Sequence, residues 1–184
     1  REVIGHPKAM DFQPKQVLMQ AYEEASHRIF DRATQEARLS GMGTTMVMGY
    51  VRDSGMYIAN VGDSRAYLFR KPYVWQLTED HSLINEQVRL GLLTEEQARK
   101  VIGKNVITRS VGFERDVFPD VIEREISEGD VYIFCSDGLT GMITDAKILQ
   151  IMSENPIEKT AEILIQQALE NGGEDNVTVL VLSF

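Results

Sequence analysis

The sequence predicts an α+β domain in which helices cover antiparallel sheets. Three observations carry that prediction. A helical stretch opens the chain, closely spaced strand-like runs with short turns fill its middle, and two helical stretches and a β-branched run close it. Short turns imply antiparallel neighbours, because parallel strands need longer crossovers. The 184 residues fit one domain, since domains commonly run to roughly 100–200 residues. A domain of about 150 residues already buries roughly 70% of its unfolded surface, so residues 1–184 read as one unit with a sizeable core.

Each element follows from local pattern. Residues 1–13 lack a clear period and contain Gly5 and Pro7, so they read as a loop. Pro14 suits the first turn of a helix. From Lys15 to about Arg38, Val17, Ala21, Ala25, Ile29 and Ala33 recur at helical spacing, with Leu18, Tyr22 and Phe30 widening the stripe. Strands are expected at Thr44 to Val51, Met56 to Val61, Ala66 to Phe69 and Val74 to Leu77, divided by Asp53-Ser54-Gly55 and Lys71-Pro72. Residues 82–105 form a helical insertion. Ser82 caps its first helix, Gly91 ends it, and Thr94 with Gln97 fits a capping box for the next. Strands resume at Val121 to Ile126 and Val131 to Cys135. Thr144 or Asp145 then caps a helix to about Glu154, Pro156 opens another to about Glu170, and Val177 to Leu182 reads as a final buried strand.

Composition excludes some functions. A net charge of −9 argues against a nucleic-acid binder, which needs a basic patch. It suits a cation-requiring site, though acidic balance by itself speaks to solubility rather than mechanism. The one cysteine, Cys135, follows an apolar run and reads as a small core hydrophobe, not a nucleophile. Lacking a disulfide, the chain suits a reducing compartment, the cytoplasm. No apolar run approaches the ~20 residues of a membrane span.

Three aspartates stand at turns beside strand-like runs: Asp63 in Gly62-Asp63-Ser64-Arg65, Asp137 in Ser136-Asp137-Gly138, and Asp175 in Glu174-Asp175-Asn176. Hard cations take carboxylate and water oxygens, so these are candidate ligands. Each is equally a routine turn former, and spacing does not show that the three converge.

The residues taken together say more. Gly41-Met42-Gly43-Thr44-Thr45, Asn60-Val61-Gly62-Asp63-Ser64-Arg65, Thr78-Glu79-Asp80-His81-Ser82, Thr108-Arg109-Ser110-Val111-Gly112, Ser136-Asp137-Gly138-Leu139-Thr140 and Glu174-Asp175-Asn176-Val177-Thr178 occur in this order. That series resembles the successive motifs of metal-dependent serine/threonine protein phosphatases of type 2C, in their bacterial style. The resemblance covers Gly41 to Phe184 and, more weakly, the helix before it. It implies a four-layer αββα fold: a sandwich of two antiparallel sheets flanked by helices, incomplete here at its N-terminal end. It implies two Mn²⁺ or Mg²⁺ ions, with a third held more weakly, and water as the nucleophile toward phosphoserine or phosphothreonine.

Carried over residue by residue, Asp137 and Asp175 match carboxylates of the shared-metal side, and Asp63 matches the third-metal position. Asp80 and His81 read as structural, Arg65 and Arg109 as internal salt-bridge partners, and the 82–105 insertion as a flap bearing on substrate choice. Within that flap Ser82, Asn85 and Arg89 are candidate substrate contacts. The implied partners are a phosphoprotein substrate and a cognate serine/threonine kinase.

The family's opening arginine, its Asp-Gly carrying the metal-bridging carboxylate, and its Gly-Gly-His have no counterpart before Gly41. The chain is therefore expected to be a truncated phosphatase with impaired activity. The alternative is a non-catalytic module on the same fold that binds phosphoproteins; a third reading is a regulatory phosphatase of the anti-sigma-pathway kind. Sheet edges left without the missing strands are expected to favour a dimer or a strand swap.

Overall fold

The computed structural model describes residues 13–100 and 106–184. The loop expected before Gln13 and the far end of the helical insertion, residues 101–105, lie outside the described residues. The first helix, α1 (Pro14–Gln35), has Pro14 at its first turn, and the Gln13 amide donates to Gln16 Oε1 at 3.2 Å. It stops short of Arg38. Glu36 turns extended and pairs with both Arg32 and Arg38, and Ala37–Leu39 form a single 3₁₀ turn.

Strands β1 (Met46–Arg52), β2 (Gly55–Val61), β3 (Arg65–Arg70) and β4 (Tyr73–Gln76) follow. Two short helices come next, α2 (Leu83–Arg89) and α3 (Glu95–Lys100). Both caps are made as expected: Ser82 Oγ accepts from the Asn85 amide, and Thr94 and Gln97 exchange a reciprocal pair of bonds. Strands β5 (Asp120–Glu125) and β6 (Val131–Cys135) lead into α4 (Asp137–Thr140), α5 (Asp145–Glu154), α6 (Ile157–Glu170) and β7 (Val179–Ser183).

The strands make two antiparallel sheets, β1-β2-β5 and β4-β3-β6-β7. Their alternating side chains define three apolar layers. Between α1 and the first sheet lie Leu18, Tyr22, Ala59, Val61 and Val111. The Tyr22 hydroxyl points its proton between the carbonyls of Met46 and Ala59, at 2.7 and 2.8 Å, and so pins the helix to β1 and β2. Between the sheets lie Met56, Ile58, Ala66, Leu68, Tyr132 and Phe134. Between the second sheet and α4–α6 lie Tyr67, Ile133, Leu139, Ile148, Leu164 and their neighbours. The order helix, sheet, sheet, helix is the expected four-layer sandwich.

Three expectations need correction. Thr44 does not begin β1 but forms a separate bridge to Val111. The last strand is not a buried one: among the described residues β7 pairs only with β6 and forms a sheet edge, and Leu180 is 54% exposed. Its backbone pairing also starts later than Val177, because the Thr178 amide and carbonyl bond Ser136 instead. Asp137 opens the short helix α4 rather than sitting in a turn. Among the described residues no helix is long and apolar enough to cross a membrane.

Candidate active site

Register explains how distant aspartates approach one another. In the second sheet Arg65 at the start of β3 pairs with Cys135 at the end of β6, and Cys135 pairs with Val179 at the start of β7. Asp63 precedes β3 by two residues, Asp137 follows β6 by two, and Asp175 precedes β7 by four. All three therefore leave the same end of one hydrogen-bonded ladder.

Two local devices hold them there. Gly62 has φ +107°, a backbone state few L-residues adopt, and a Cβ on it would strike Thr45. The chain can thus turn sharply out of β2 and present Asp63. On the other side, Ser136 and Thr178 clasp the ends of β6 and β7. The Ser136 amide donates to Thr178 O at 3.1 Å, Ser136 Oγ donates to Asn176 O at 3.1 Å, and the Thr178 amide donates back to Ser136 Oγ at 3.0 Å. Gly138 lies under this clasp, where an added Cβ would come within 2.4 Å of Asn176 O. Asp175 Oδ1 accepts from the Asn176 amide at 2.6 Å, which fixes its carboxylate.

The electrostatics are those of a crowded acidic site. Burial raises the Asp63 carboxyl above its ordinary value, and the negative charge of Asp137 adds to the rise. Among the described residues, however, no three His, Cys, Asp or Glu side chains lie close enough to hold a metal ion. The donor set fits a hard divalent cation in kind, being carboxylate oxygen only. It brings Asp63 and Asp137 under each other's charge and leaves Asp175 on its own loop.

The other predicted residues fall into supporting roles. Arg65 grips Asp80 with two nitrogens, at 2.8 and 2.6 Å, and donates from Nη1 to the Tyr67 hydroxyl, which in turn donates to Asp145. Arg109 donates to Asp120 Oδ1 at 2.9 Å and to Phe118 O. Both arginines are internal ion-pair partners, as expected. His81 accepts the Gly62 amide on Nδ1 at 3.0 Å. In the insertion, Ser82 is buried and spends its hydroxyl on the α2 cap, Asn85 donates to Asp80 O at 2.9 Å, and Arg89 is exposed at the end of α2. His27 stands on α1 against Asp116. Cys135 is buried, and burial pushes its thiol up to about 12, which rules it out as a nucleophile at neutral pH.

Sequence reasoning passed over Asp120 and gave Asn60, quoted within a motif, no role of its own. Asp120 Oδ2 meets His81 Nε2 at 3.0 Å. Burial pushes the Asp120 carboxyl up, but hydrogen bonds from His81 and Arg109 outweigh it and hold the group below its usual range. No sequence signal joins two residues this far apart. Asn60 is buried and donates to Gly62 O and Glu79 O, at 3.2 and 3.1 Å, while its Oδ1 has no partner.

Comparison with known proteins gives the family. The family described as protein phosphatase 2C matches residues 6–177. The serine/threonine phosphatase stp of Listeria innocua is 39% identical over 166 residues, covering 90% of this chain and 66% of that protein. The chain thus spans just under two thirds of the length of that relative. The crystal structure of serine/threonine phosphatase Stp1 from Staphylococcus aureus superposes with a TM-score of 0.89 at 34% identity, covering 94% of this chain and 68% of that one. The catalytic domain of the serine/threonine protein phosphatase PstP, in complex with two manganese ions, gives 0.83 at 32% identity, covering 93% and 73%.

Proposed function

Because this chain belongs to the protein phosphatase 2C family, we propose that it carries most of the catalytic centre of a protein serine/threonine phosphatase, with phosphoserine and phosphothreonine proteins as substrates. The observation that carries this is the shared ladder end of β3, β6 and β7, which sends Asp63, Asp137 and Asp175 off one end of the sandwich. Asp137 and Asp175 are read as ligands of the principal Mn²⁺ or Mg²⁺ ions, and Asp63 as a ligand of a third. Bound there, divalent cations would lower the pKa of a water and offset charge on the attacking and leaving oxygens. The manganese ions of PstP support the same choice of ion.

The chain's own residues supply position and charge. Gly62 and Gly138 let the backbone approach closely, Ser136 fixes the β6 and β7 ends together, and the Arg65–Asp80 pair braces the loop that bears Asp63. A buried thiol makes a covalent phosphocysteine route unsuitable, in keeping with the water nucleophile that the family resemblance implies. A serine/threonine kinase acting on the same substrates is the natural counterpart. Buried, unpaired Cys135 suits a cytoplasmic setting.

A second reading has one specific observation in its favour. With no described group of three ligating side chains, the same surface could bind a phosphoprotein without cleaving it, and the chain by itself is expected to hold metal weakly. Hydrolysis of a phosphothreonine peptide with Mn²⁺ and with a chelator separates the two. The phosphatase reading expects turnover that chelation abolishes and that Asp137→Ala lowers by about a hundredfold or more, since loss even of an outer-shell partner costs 10–100-fold. Peptide binding without turnover, in this chain and in a longer form carrying the family's N-terminal motifs, would overturn it.

A further inference from the structure

The excursion after residue 81 leaves the second sheet at β4 and leads to β5 of the first sheet, and its entry root carries an imidazole that its exit root reaches through a shared carboxylate. His81 stands at the entry root and is 7% exposed. Its Nδ1 accepts the Gly62 amide at 3.0 Å, and its own amide donates to Gly62 O at 3.0 Å. With Nδ1 an acceptor, the proton of the neutral ring sits on Nε2, which donates to Asp120 Oδ2 at 3.0 Å. Arg109, at the exit root, approaches the same nitrogen at 2.8 Å and gives its hydrogen to Asp120 Oδ1 at 2.9 Å. The two roots are also joined along the backbone, Leu83 to Val106 at 2.9 Å and Thr108 to His81 at 2.8 Å. On the near side, Asn60 holds Glu79 O and Arg65 holds Asp80.

We infer that His81 is a positioning residue: it pins the loop that presents Asp63 to both roots of the excursion, so that order in the roots and the position of Asp63 are coupled. Several of these bonds meet at a single buried ring. A free loop leaving a strand at a glycine with positive φ would move, and here each side of Gly62 is bonded to residue 81. The ring's other nitrogen is fixed by a carboxylate that the exit root also grips. Displacement of either root therefore pulls on Gly62, one residue from Asp63. The inference rests on reading Asp63 as a cation ligand only for its consequence; the pin itself is a matter of hydrogen bonds within the chain.

Amide hydrogen exchange of the 184-residue chain tests it. In metal-free protein, His81→Ala is expected to speed exchange at Gly62 and at Thr108 together, each by at least about fivefold, as loss of a buried hydrogen bond implies. Ile133, in β6, should not change. His81→Asn places an amide oxygen near the site of Nδ1 but nothing at that of Nε2, so Gly62 should exchange more slowly than in His81→Ala while Thr108 stays as fast as in Asp120→Asn. Asp120→Asn leaves the imidazole in place and should speed Thr108 and Gly62 in parallel, which keeps the test open if the alanine variant does not fold.

Unchanged Thr108 in His81→Ala, or in Asp120→Asn where that variant alone is measurable, overturns the pin. So does a rise at Ile133 matching that at Gly62, which would be general destabilisation. Excess Mg²⁺ tests the ligand reading separately. It should slow Ser64 exchange in the parent chain and not in Asp63→Asn. A parent chain that Mg²⁺ leaves unaltered overturns the metal role of Asp63, while the pin stands or falls on the metal-free exchange alone.

Discussion

Asp63 holds its proton more tightly in the fold than in the unfolded chain, first because it is buried and then because Asp137 repels its charge. A carboxyl raised in this way contributes stability that is full below its unfolded pKa of about 3.9 and is lost as pH rises through the folded value. At neutral pH the ionised group is therefore a net cost to the metal-free chain. Asp63→Asn should raise its Tm at pH 7 by about 1–3 °C, on the order of 1 kcal/mol or less for a partly exposed group. The gain should vanish in melts below about pH 4, where the parent's carboxyl is protonated; a gain that persists there would mean that charge is not its cause. The same substitution should weaken Mg²⁺ binding, the usual conflict between stability and a site of like charges. At Cys135, a thiol pushed up to about 12 should resist iodoacetamide in the native chain at pH 8 and react fully in denaturant. Fast native labelling would contradict its burial. The aspartates themselves were legible from their small neighbours, Gly62 and Ser64, Ser136 and Gly138. Their placement at one end of a ladder was not, because the register of β3, β6 and β7 sets it and no local pattern encodes register between strands so far apart. Asp120 was illegible for the same reason.

At the scale of elements, the clasp between the end of β6 and the start of β7 decides whether Asp137 and Asp175 stay near each other. It depends on Gly138. Alanine there would place Cβ 2.4 Å from Asn176 O, a backbone atom that cannot yield cheaply. Gly138→Ala should cost roughly 2–3 kcal/mol in urea unfolding and lower metal affinity with it. Gly141→Ala is the matched control. It ends the same short helix at φ −70°, and its Cβ would meet only Asp137 O at 3.1 Å. It should cost less than about 1 kcal/mol, and equal losses at the two positions would remove the clasp from the account. The central strands β2, β3 and β6 were readable because their faces are largely covered and most of their residues are apolar. Helix α4 was not, since four residues are too few to show a period. The boundary of β7 shifted because Thr178, β-branched like the residues of the strand, spends its amide and carbonyl on Ser136.

In the whole molecule the described strands leave four sheet edges, of which β5 is blunted by charge and β4 by its length of only four residues. The edge at β5 carries Asp120, Glu123, Arg124 and Glu125, the charges that natural sheets use against unwanted pairing. The edges at β1 and β7 lack this protection: β1 has one charge, at its last residue, and β7 has none. These two bare edges share one side of the sandwich. A Cβ on Gly49 of β1 would strike the Phe134 ring of β6, so β1 lies over β6, and β7 is the next strand out from it. Between them the inter-sheet layer opens, with Val51 44% and Leu180 54% exposed. Unpaired backbone above and below an open apolar seam is a template for another chain's strands. The 184-residue chain is therefore expected to self-associate through this side. The net charge of −9 opposes that contact, and salt screens the repulsion over about 10 Å at 0.1 M. Light scattering should show mass rising with concentration from ~1 to ~100 µM, and rising further in 0.5 M NaCl, if hydrophobic edges drive association against charge. Val51→Lys with Leu180→Lys should restore the monomer at every concentration, because lysine on an edge strand carries a charge that cannot be buried in the new pairing. A parent chain that stays monomeric throughout would mean that this side is covered in solution by other residues of the same chain.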